Sequence, residues 1–370
     1  MTTTQAPETM KAIVNRGYGK GAVESFPYPS PGPGSVTIRV LHSLVHNNAI
    51  KLYRGSGPML RKEPEWPCIP GGYGVGRIAS LGPDTTAFEP GQLVMFEPFV
   101  HARDDPDVAI LWGSNGGFDE KTTKFSKDNW HNGCWAEYTR SPLENTWAID
   151  EDKITKLGLR TQDLAHLGPL AVVYGGLRKI NVQAGETVLI APATGIFSGG
   201  AVHVARAMGA NVIAASRNAD GLKELERKYA GIKTVQIKGG EEDAAAIAAH
   251  GPIDAFVDVS PTEATGSSHL GVGMTAVKTG GRICLMGGRG DQSLPHPYLF
   301  MVVKDITIRG SWMYERHHVK SLIKMVEAGV LRLDKEAGME VVGDFPLEKF
   351  EEAMEEATKS SSGRIMVLSS

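Results

Sequence analysis

The sequence contains few cysteines and no long apolar run. Its three cysteines, Cys68, Cys134 and Cys284, lie far apart among 370 residues and form no CxxC pair. They exclude a disulfide framework and indicate a reducing, cytoplasmic compartment. No stretch approaches the roughly 20 apolar residues of a membrane helix, and the N-terminus lacks the basic and apolar regions of a secretory signal.

The sequence also lacks an excess of charge of either sign. The 39 Lys and Arg residues against 42 Asp and Glu residues give a formal net charge of −3. No basic patch is visible, so neither nucleic acid nor a membrane surface is an expected partner, and a small-molecule substrate is. Because the chain exceeds the usual size of one domain, two domains are expected.

The N-terminal part of the chain alternates short β-type runs with glycine and proline, which predicts an all-β domain. The clearest strands are 11–15, 36–42, 74–82 and 92–96. The segment 97–130 shows no periodicity, and so long a loop is expected to be functional or disordered.

From about residue 161 onward, strands alternate with helices. The runs are continuously apolar, as in strands buried on both faces, and predict a doubly wound parallel sheet. The predicted strands are 187–191, 211–216, 234–237, 254–259 and 281–287. A strand-like run at 306–313, an amphipathic helix, and a final helix and strand follow.

The stretch "APATGIFSGG" (191–200) joins a predicted strand to a predicted helix. A helix N-terminus at such a turn offers unpaired N–H groups and the positive end of the helix dipole to a pyrophosphate. Gly195 stands where the central glycine of a dinucleotide fingerprint belongs, and Ser198 replaces the last glycine. The predicted cofactor-binding residues of this loop are Thr194, Gly195, Ile196, Phe197 and Ser198.

The end of the next predicted strand indicates which dinucleotide binds. About 20 residues after the glycine loop, NAD-binding proteins place a carboxylate on the ribose 2′-hydroxyl. This sequence has Ser216, Arg217 and Asn218 there instead. A hydroxyl and a guanidinium can bind a 2′-phosphate, so the prediction is NADP(H). The alternative is that Arg217 is a solvated loop residue.

The order of motifs resembles the medium-chain dehydrogenase/reductase superfamily. The motifs are "MKAIVNRGYGKGAVESFPYPSPGPGSVTIRV", "PGGYGVGRIASLG", "GCWAEYTR", "VQAGETVLIAPATG" and a C-terminal "GRIMVL". The resemblance implies a GroES-like β catalytic domain (1–160), a Rossmann domain (161–309) and a return to the catalytic domain (310–370), with the active site between the domains.

The resemblance also implies where the nicotinamide and a second subunit bind. Relatives hold the nicotinamide carboxamide by backbone groups at positions that correspond to Met286, Gly287, Gly310 and Ser311. Relatives commonly pair the edge strand of the Rossmann sheet, and the apolar 306–312 run is a suitable edge, so a homodimer is expected.

The sequence departs from zinc-dependent relatives at the implied metal ligands. The corresponding positions hold His46, Gly72, Tyr73 and Leu167, and glycine and leucine offer no donor atom. A catalytic zinc site needs three protein ligands, so none is expected here. The four cysteines of a structural zinc lobe are also missing from 97–130.

Without zinc, hydride transfer needs hydrogen-bond donors or a readily reduced substrate. The stretch 45–55 lies where the superfamily places substrate-facing groups and is rich in donors. The catalytic candidates are His46, Asn47, Asn48, Lys51, Tyr53 and Tyr73. His46 is a candidate general acid or a histidine satisfied by backbone, and Tyr73 is a donor or a plug for the vacated zinc cavity.

Three aromatic residues of the 97–130 segment are also candidates. Trp112, Phe118 and Trp130 either line a substrate pocket or form a satellite core. The expected function is zinc-independent, NADPH-dependent reduction of an activated C=C or C=O bond in a small enone- or quinone-like molecule. The alternatives are a metal-free alcohol dehydrogenase or ketone reductase and a non-catalytic NADPH-binding protein.

Overall fold

The computed structural model describes residues 6–56, 62–114, 116–290, 293–294 and 298–370. The chain divides into two compact units. The first unit comprises Met1–Gly168, Glu340–Ser360 and Ile365–Ser370, and the second comprises Pro169–Met339 and Ser361–Arg364. Among the helices of these described segments, none combines the length and apolarity that crossing a bilayer requires.

The first unit consists mainly of antiparallel strands. The strands are β1 (Thr9–Asn15), β2 (Gly21–Pro27), β3 (Ser35–Val45), β4 (Gly74–Leu81), β5 (Leu93–Phe96), β6 (Phe99–His101), β7 (Ala109–Leu111), β8 (Tyr138–Pro142), β9 (Thr146–Ala148), β16 (Glu340–Pro346) and β17 (Arg364–Ser369). The helices are α1 (Ala49–Tyr53), α2 (Glu120–Asn129), α3 (Glu151–Lys156) and α11 (Phe350–Ala357). The four strands predicted in the N-terminal part are present.

A seven-stranded sheet organises this unit. Its order is β16-β17-β3-β4-β5-β9, with β8 also paired to β3. β3 and β4 run antiparallel, with Val36 opposite Leu81 and Ser43 opposite Gly74. The buried side chains of β3, including Val36, Ile38 and Val40, pack into one core with β1 and α11. This sheet fixes the position of the loop that follows β3, and the shared core holds β1, which pairs with β2 in a separate two-stranded sheet.

The expectation that 97–130 is one long loop is wrong, because its described residues include two short strands and a helix, and a functional role for the segment stays a prediction. β6 and β7 form an antiparallel pair in which Phe99 faces Leu111, and α2 follows them. Asp119 caps α2, since its side chain accepts a hydrogen bond from the Thr122 N–H at 2.8 Å. Three-residue strands are too short to show a period of two, which hides them from pattern analysis.

The second unit carries the expected parallel sheet. Its strands are β10 (Thr187–Ala191), β11 (Asn211–Ser216), β12 (Lys233–Gln236), β13 (Ile253–Asp258), β14 (Val277–Leu285) and β15 (Thr307–Gly310). Its helices are α4 (Leu167–Lys179, which begins in the first unit), α5 (Ile196–Ala207), α6 (Ala219–Lys228), α7 (Glu242–Ala248), α8 (His269–Ala276), α9 (Tyr298–Val303) and α10 (Arg316–Glu327).

The strand order is that of a dinucleotide-binding sheet. The order β12-β11-β10-β13-β14-β15, with every adjacent pair parallel, is the doubly wound pattern of two mononucleotide-binding halves. The order reverses between β10 and β13. Ligands bind at such a point, outside the carboxyl ends of the strands, and the loop after β10 lies there.

The two units divide later in the sequence than the expected boundaries after 160 and 309. The observed divisions fall at 168/169 and 339/340. α10 and the residues after it belong to the second unit, where the His318 ring meets Tyr174 at 6.0 Å and His203 Nε2 lies 2.7 Å from the Arg332 carbonyl. An amphipathic helix pattern does not reveal which domain the helix packs against.

Candidate functional site

The loop after β10 opens α5 in a geometry that suits a pyrophosphate. Gly195 is the N-cap of α5 and is exposed, and a Cβ atom there would meet only the Ser198 hydroxyl, at 3.2 Å. The Ser198 Oγ accepts a hydrogen bond from the Gly195 N–H at 2.9 Å, so this serine fixes the turn. Ile196 is buried beneath the loop, and Phe197 is half-buried. The first-turn N–H groups have no partner within the helix.

The structure brings the next predicted segment against this loop. Ser216 is buried at the end of β11, and its Oγ lies 3.0 Å from the Thr194 Oγ1. Arg217 is exposed beside it. Asn218 has a structural role, because its side chain accepts a hydrogen bond from the Gly221 N–H at 3.0 Å and caps α6.

The segments predicted to hold the nicotinamide form another part of the second unit. Gly287 follows β14, and a Cβ atom there would lie 2.8 Å from the Asp258 Oδ2. The Met286 N–H donates to the Asp258 carbonyl at 2.9 Å, and the Ser311 N–H donates to the Leu285 carbonyl at 2.9 Å. The backbone around these residues, with exposed Gly310, is therefore fixed at the carboxyl ends of β13 and β14.

Sequence reasoning missed Ser362. The Ser362 N–H donates to the Thr194 carbonyl at 3.3 Å, and its Oγ occupies the space where a Cβ atom of Gly199 would be. This Oγ is buried and has no hydrogen-bond partner among the described residues. An unsatisfied hydroxyl, an open Gly195 and a helix N-terminus together fit a bound dinucleotide. The run "SSSGR" is the signal that could have pointed to this segment.

The first unit contains a cavity of about 300 Å³. Three of the six predicted catalytic residues, His46, Tyr53 and Tyr73, line it. Asn47, Asn48 and Lys51 are not among its lining residues. Asn48 is at the N-cap position of α1 without a side-chain capping hydrogen bond and is exposed, and Lys51 is exposed on the helix. Asn47 carries a buried side-chain oxygen with no partner among the described residues.

The hydrogen bonding of His46 selects one ring tautomer. The Asn48 N–H donates to the His46 Nδ1 at 3.2 Å, so this nitrogen presents a lone pair. The proton of the neutral ring is then on Nε2. The Nδ1 of His46 is thus bonded to neighbouring backbone, as in one of the two alternatives considered for this histidine.

Tyr53 contributes its ring to the cavity wall, and its hydroxyl is already bonded. The hydroxyl accepts the Gly21 N–H at 3.0 Å and donates to the Glu351 Oε1 at 2.8 Å. Burial raises the pKa of Tyr53. Tyr73 is half-buried and packs against Gly168, where a Cβ atom would lie 2.9 Å from its ring.

The aromatic residues that line the cavity are not those of the 97–130 segment. Trp112 is fully buried in the core, and Trp130 packs against that core with Arg140 over its ring at 5.2 Å. Phe118 is half-buried and is not a lining residue. Neither alternative describes Trp112 and Trp130 fully: they do not line the cavity, and instead of a satellite core Trp112 belongs to the main core, against which Trp130 packs. The aromatic residues missed by the sequence analysis are Tyr18, Trp66 and Trp135.

The residues at the implied zinc positions do not fit a zinc ion. His46 is the one nitrogen ligand among the four positions, Tyr73 offers a phenol, and Gly72 and Leu167 offer no ligand atom. Across the described segments, one group of His, Cys, Asp and Glu side chains is close enough to share an ion: Glu315, His317 and His318 of the second unit. That group is at the N-terminus of α10 and does not line the cavity.

Comparison with protein families identifies both units. Residues 32–151 match the family model of the alcohol dehydrogenase GroES-like domain. Residues 199–328 match the model of the zinc-binding dehydrogenases. The expectation of a GroES-like domain together with a Rossmann-type domain is thus confirmed.

Two relatives span most of the chain. An alcohol dehydrogenase of Rhizobium meliloti (strain 1021) is 29% identical over 341 residues, which cover 87% of this chain and 89% of the relative. An acryloyl-coenzyme A reductase of Metallosphaera sedula is 26% identical over 328 residues, which cover 87% of this chain and 90% of the relative.

Two solved structures share the fold. A protein of Sinorhizobium meliloti 1021 bound to NADP has a TM-score of 0.75 at 18% identity, and the match covers 98% of this chain and 100% of that one. A short chain alcohol dehydrogenase of E. coli CFT073 complexed with NADH has a TM-score of 0.78 at 17% identity, with coverage of 98% and 100%. From its motifs, its domain matches and its dinucleotide-binding fold, the chain belongs to the medium-chain dehydrogenase/reductase superfamily and is an oxidoreductase.

Proposed function

We propose that this protein is a zinc-independent, NADPH-dependent reductase that delivers hydride to an activated C=C or C=O bond of a small organic molecule. One observation carries the proposal. At the positions implied to ligate zinc, two residues offer no ligand atom, and the other two, His46 and Tyr73, line the cavity of the first unit.

The chemistry follows from where negative charge must be stabilised. Bound NADPH would supply a hydride and become NADP⁺. On a conjugated C=C bond the hydride goes to the β-carbon, the charge is delocalised onto the carbonyl oxygen, and a proton from water completes the α-carbon. Hydrogen-bond donors stabilise that oxygen in place of a metal. The His46 Nε2–H and the Tyr73 hydroxyl are the proposed donors.

Variants at these two residues test the donor role. Removal of one oxyanion donor typically lowers kcat by about 10²–10³, so His46→Ala and Tyr73→Phe should each lower kcat on this order. A donor role predicts that His46→Gln, whose side-chain amide can donate a hydrogen bond but cannot transfer a proton, retains more turnover than His46→Ala. A general-acid role predicts that both variants lose turnover equally and that the kcat of the wild type falls as the pH rises. Unchanged turnover in His46→Ala or Tyr73→Phe removes that residue from the mechanism.

The preference for NADPH is proposed from Ser216 and Arg217. They stand at the end of β11, where a carboxylate would repel a 2′-phosphate, and Ser216 contacts the glycine loop through Thr194. One charge-assisted hydrogen bond contributes about 1.5–3 kcal/mol, or roughly 10- to 100-fold in affinity. Arg217→Ala should therefore weaken NADPH and leave NADH unchanged, and Ser216→Asp should reverse the preference. Arg227→Ala, an exposed arginine of α6, is the matched control.

Analysis of the product would show whether the protein reduces a C=C bond or a C=O bond. The acryloyl-coenzyme A reductase relative favours C=C reduction, and the alcohol dehydrogenase relative favours the second candidate, a metal-free alcohol dehydrogenase or ketone reductase. We would assay enones, quinones and ketones by loss of NADPH absorbance and identify the product. Tight NADPH binding without turnover would instead indicate a non-catalytic binding protein. Stoichiometric zinc whose removal abolishes activity would overturn the proposal.

A further inference from the structure

The described ionisable side chains around the cavity include a basic residue and no acidic residue. Its described lining residues include one lysine, Lys62, and two histidines, His46 and His131, and none of them is an Asp or a Glu. Over the whole chain acidic residues outnumber basic ones, 42 to 39. Among the described wall residues the charge is therefore that of Lys62, and none of them is a carboxylate that could compensate it.

The other ionisable groups of the wall are neutral. Burial raises the pKa of the Cys68 thiol to about 12, which keeps it protonated. Burial likewise raises the pKa of Tyr18. The nearby Glu63 carboxylate accepts a hydrogen bond from the Trp66 Nε1 at 2.6 Å. Asp119, which feels the charge of Lys62, is held in the cap of α2 by Thr122. Neither carboxylate lines the cavity.

The rest of the wall suits a flat apolar body. Tyr18 and Trp66 meet edge to face at 5.5 Å, and Trp135 lines the cavity with them. The Trp135 Nε1 is buried, with no acceptor among the described residues, and packs against Gly71, where a Cβ atom would lie 2.6 Å from it. The described wall thus combines aromatic rings with the charge of Lys62.

We infer that the cavity takes a small organic anion: an α,β-unsaturated carboxylate, or a carbonyl compound bearing a carboxylate, with Lys62 paired to the anionic group. The apolar body packs against the aromatic wall. As a statement about the reacting substrate, this inference rests on the proposed reductase function. The preference for an anion rests on the composition of the wall alone, so it can be tested without turnover.

The test is a binding titration in the absence of cofactor. Because Trp66 and Trp135 line the cavity, the quenching of tryptophan fluorescence reports occupancy. The probes are 3-phenylpropanoate and its neutral amide, which have the same shape and no reducible C=C bond. The wild type should bind the carboxylate at least about 10-fold more tightly, the effect of one charge-assisted contact. Added salt should reduce this ratio.

Variants at Lys62 separate its charge from its packing. Lys62→Met should bring the affinities for the acid and the amide within about threefold of each other, whereas Lys62→Arg, which keeps the charge, should retain the preference. Lys156→Met, an exposed lysine of α3 that does not line the cavity, is the matched control and should bind like the wild type. Thermal melts confirm that each variant is folded.

Two results would overturn the inference: equal affinity of the wild type for acid and amide, or a full preference that survives in Lys62→Met. Either result leaves the proposed reductase function untouched, since neutral enones would remain candidate substrates. Conversely, a carboxylate preference without NADPH oxidation would support the anion site and count against the reductase.

Discussion

The neutral state of His318 makes the stability of the second unit depend on pH. His318 occupies the third position of α10 and is only 4% exposed. Its Nδ1 accepts the Glu315 N–H at 3.2 Å, and its ring meets Tyr174 edge to face at 6.0 Å. Burial, and then the neighbouring His317, lower the pKa of His318 from 6.5 to about 4.

The sign and size of the effect follow from proton linkage. Between pH 6.5 and about 4 the unfolded chain protonates His318, whereas the folded unit keeps it neutral. The unfolded state therefore binds more protons, so stability is fully present above pH 6.5 and is lost as the pH falls towards 4. At about 1.4 kcal/mol per pH unit, the shift from 6.5 to about 4 gives a loss of at most about 3.5 kcal/mol, which is roughly 7–14 °C in Tm for a unit of this size.

His318→Gln removes the titration and keeps the cap, because glutamine at the third helical position also accepts the N–H of the N-cap residue. Thermal unfolding of wild type and variant should be followed from pH 7 down to about 4. The variant should lose less stability than the wild type over this interval, and the difference should appear below pH 6.5. His317→Gln removes the smaller cause of the lowered pKa and keeps the burial of His318, so its loss of stability should lie between those of the wild type and His318→Gln. If wild type and His318→Gln lose the same stability, the reasoning is refuted.

Three further predictions concern packing and assembly. Tyr53→Phe removes two hydrogen bonds of the hydroxyl and keeps the ring in the cavity wall. The free energy of unfolding should therefore fall by about 1–3 kcal/mol, while kcat stays constant. A large loss of kcat at unchanged stability would contradict this. Gly287→Ala places a Cβ atom 2.8 Å from the Asp258 Oδ2, so the backbone that is predicted to hold the nicotinamide must shift. The affinity for NADPH, measured by its fluorescence, should therefore fall. An unchanged affinity would show that this segment does not hold the nicotinamide. Leu299 and Val303 of α9 are 69% and 71% exposed in the single chain, and we propose that the expected homodimer buries them. Changing both to Glu should convert the dimer to a monomer in light scattering. A wild type that is already monomeric would refute this proposal.

The parallel sheet could be predicted well from the sequence. Its strands are continuous apolar runs that stand out from amphipathic helices, and the predicted strands 187–191 and 211–216 coincide with β10 and β11. Local pattern is sufficient here because the sheet is buried on both faces. The glycine loop follows β10 and Ser216 ends β11, so the sequence could place these candidate residues for the same reason.

The cavity could not be predicted in the same way. Lys62, Trp66 and Trp135 are brought together by the antiparallel pairing of distant segments, such as the bridge between Asn15 and Cys68. No local period encodes that pairing. The donor-rich stretch that pattern analysis favoured contributes His46 and Tyr53, while Lys51 of the same stretch is not part of the wall, because a short helix can direct only some of its residues to one side.

The packing of the 97–130 segment bears on the residues at the implied zinc positions. A Cβ atom on Gly72 would lie 2.5 Å from the Trp112 carbonyl oxygen and 2.6 Å from the Pro98 Cβ. The segment predicted to be a loop is thus packed against the position where relatives place a metal ligand. Restoring that ligand would require movement of the Trp112 backbone, whose side chain is fully buried in the core. Because the backbone itself fills this space, a single substitution at Gly72 cannot rebuild a zinc site, and the proposal of metal-free chemistry depends on packing as well as on residue identity.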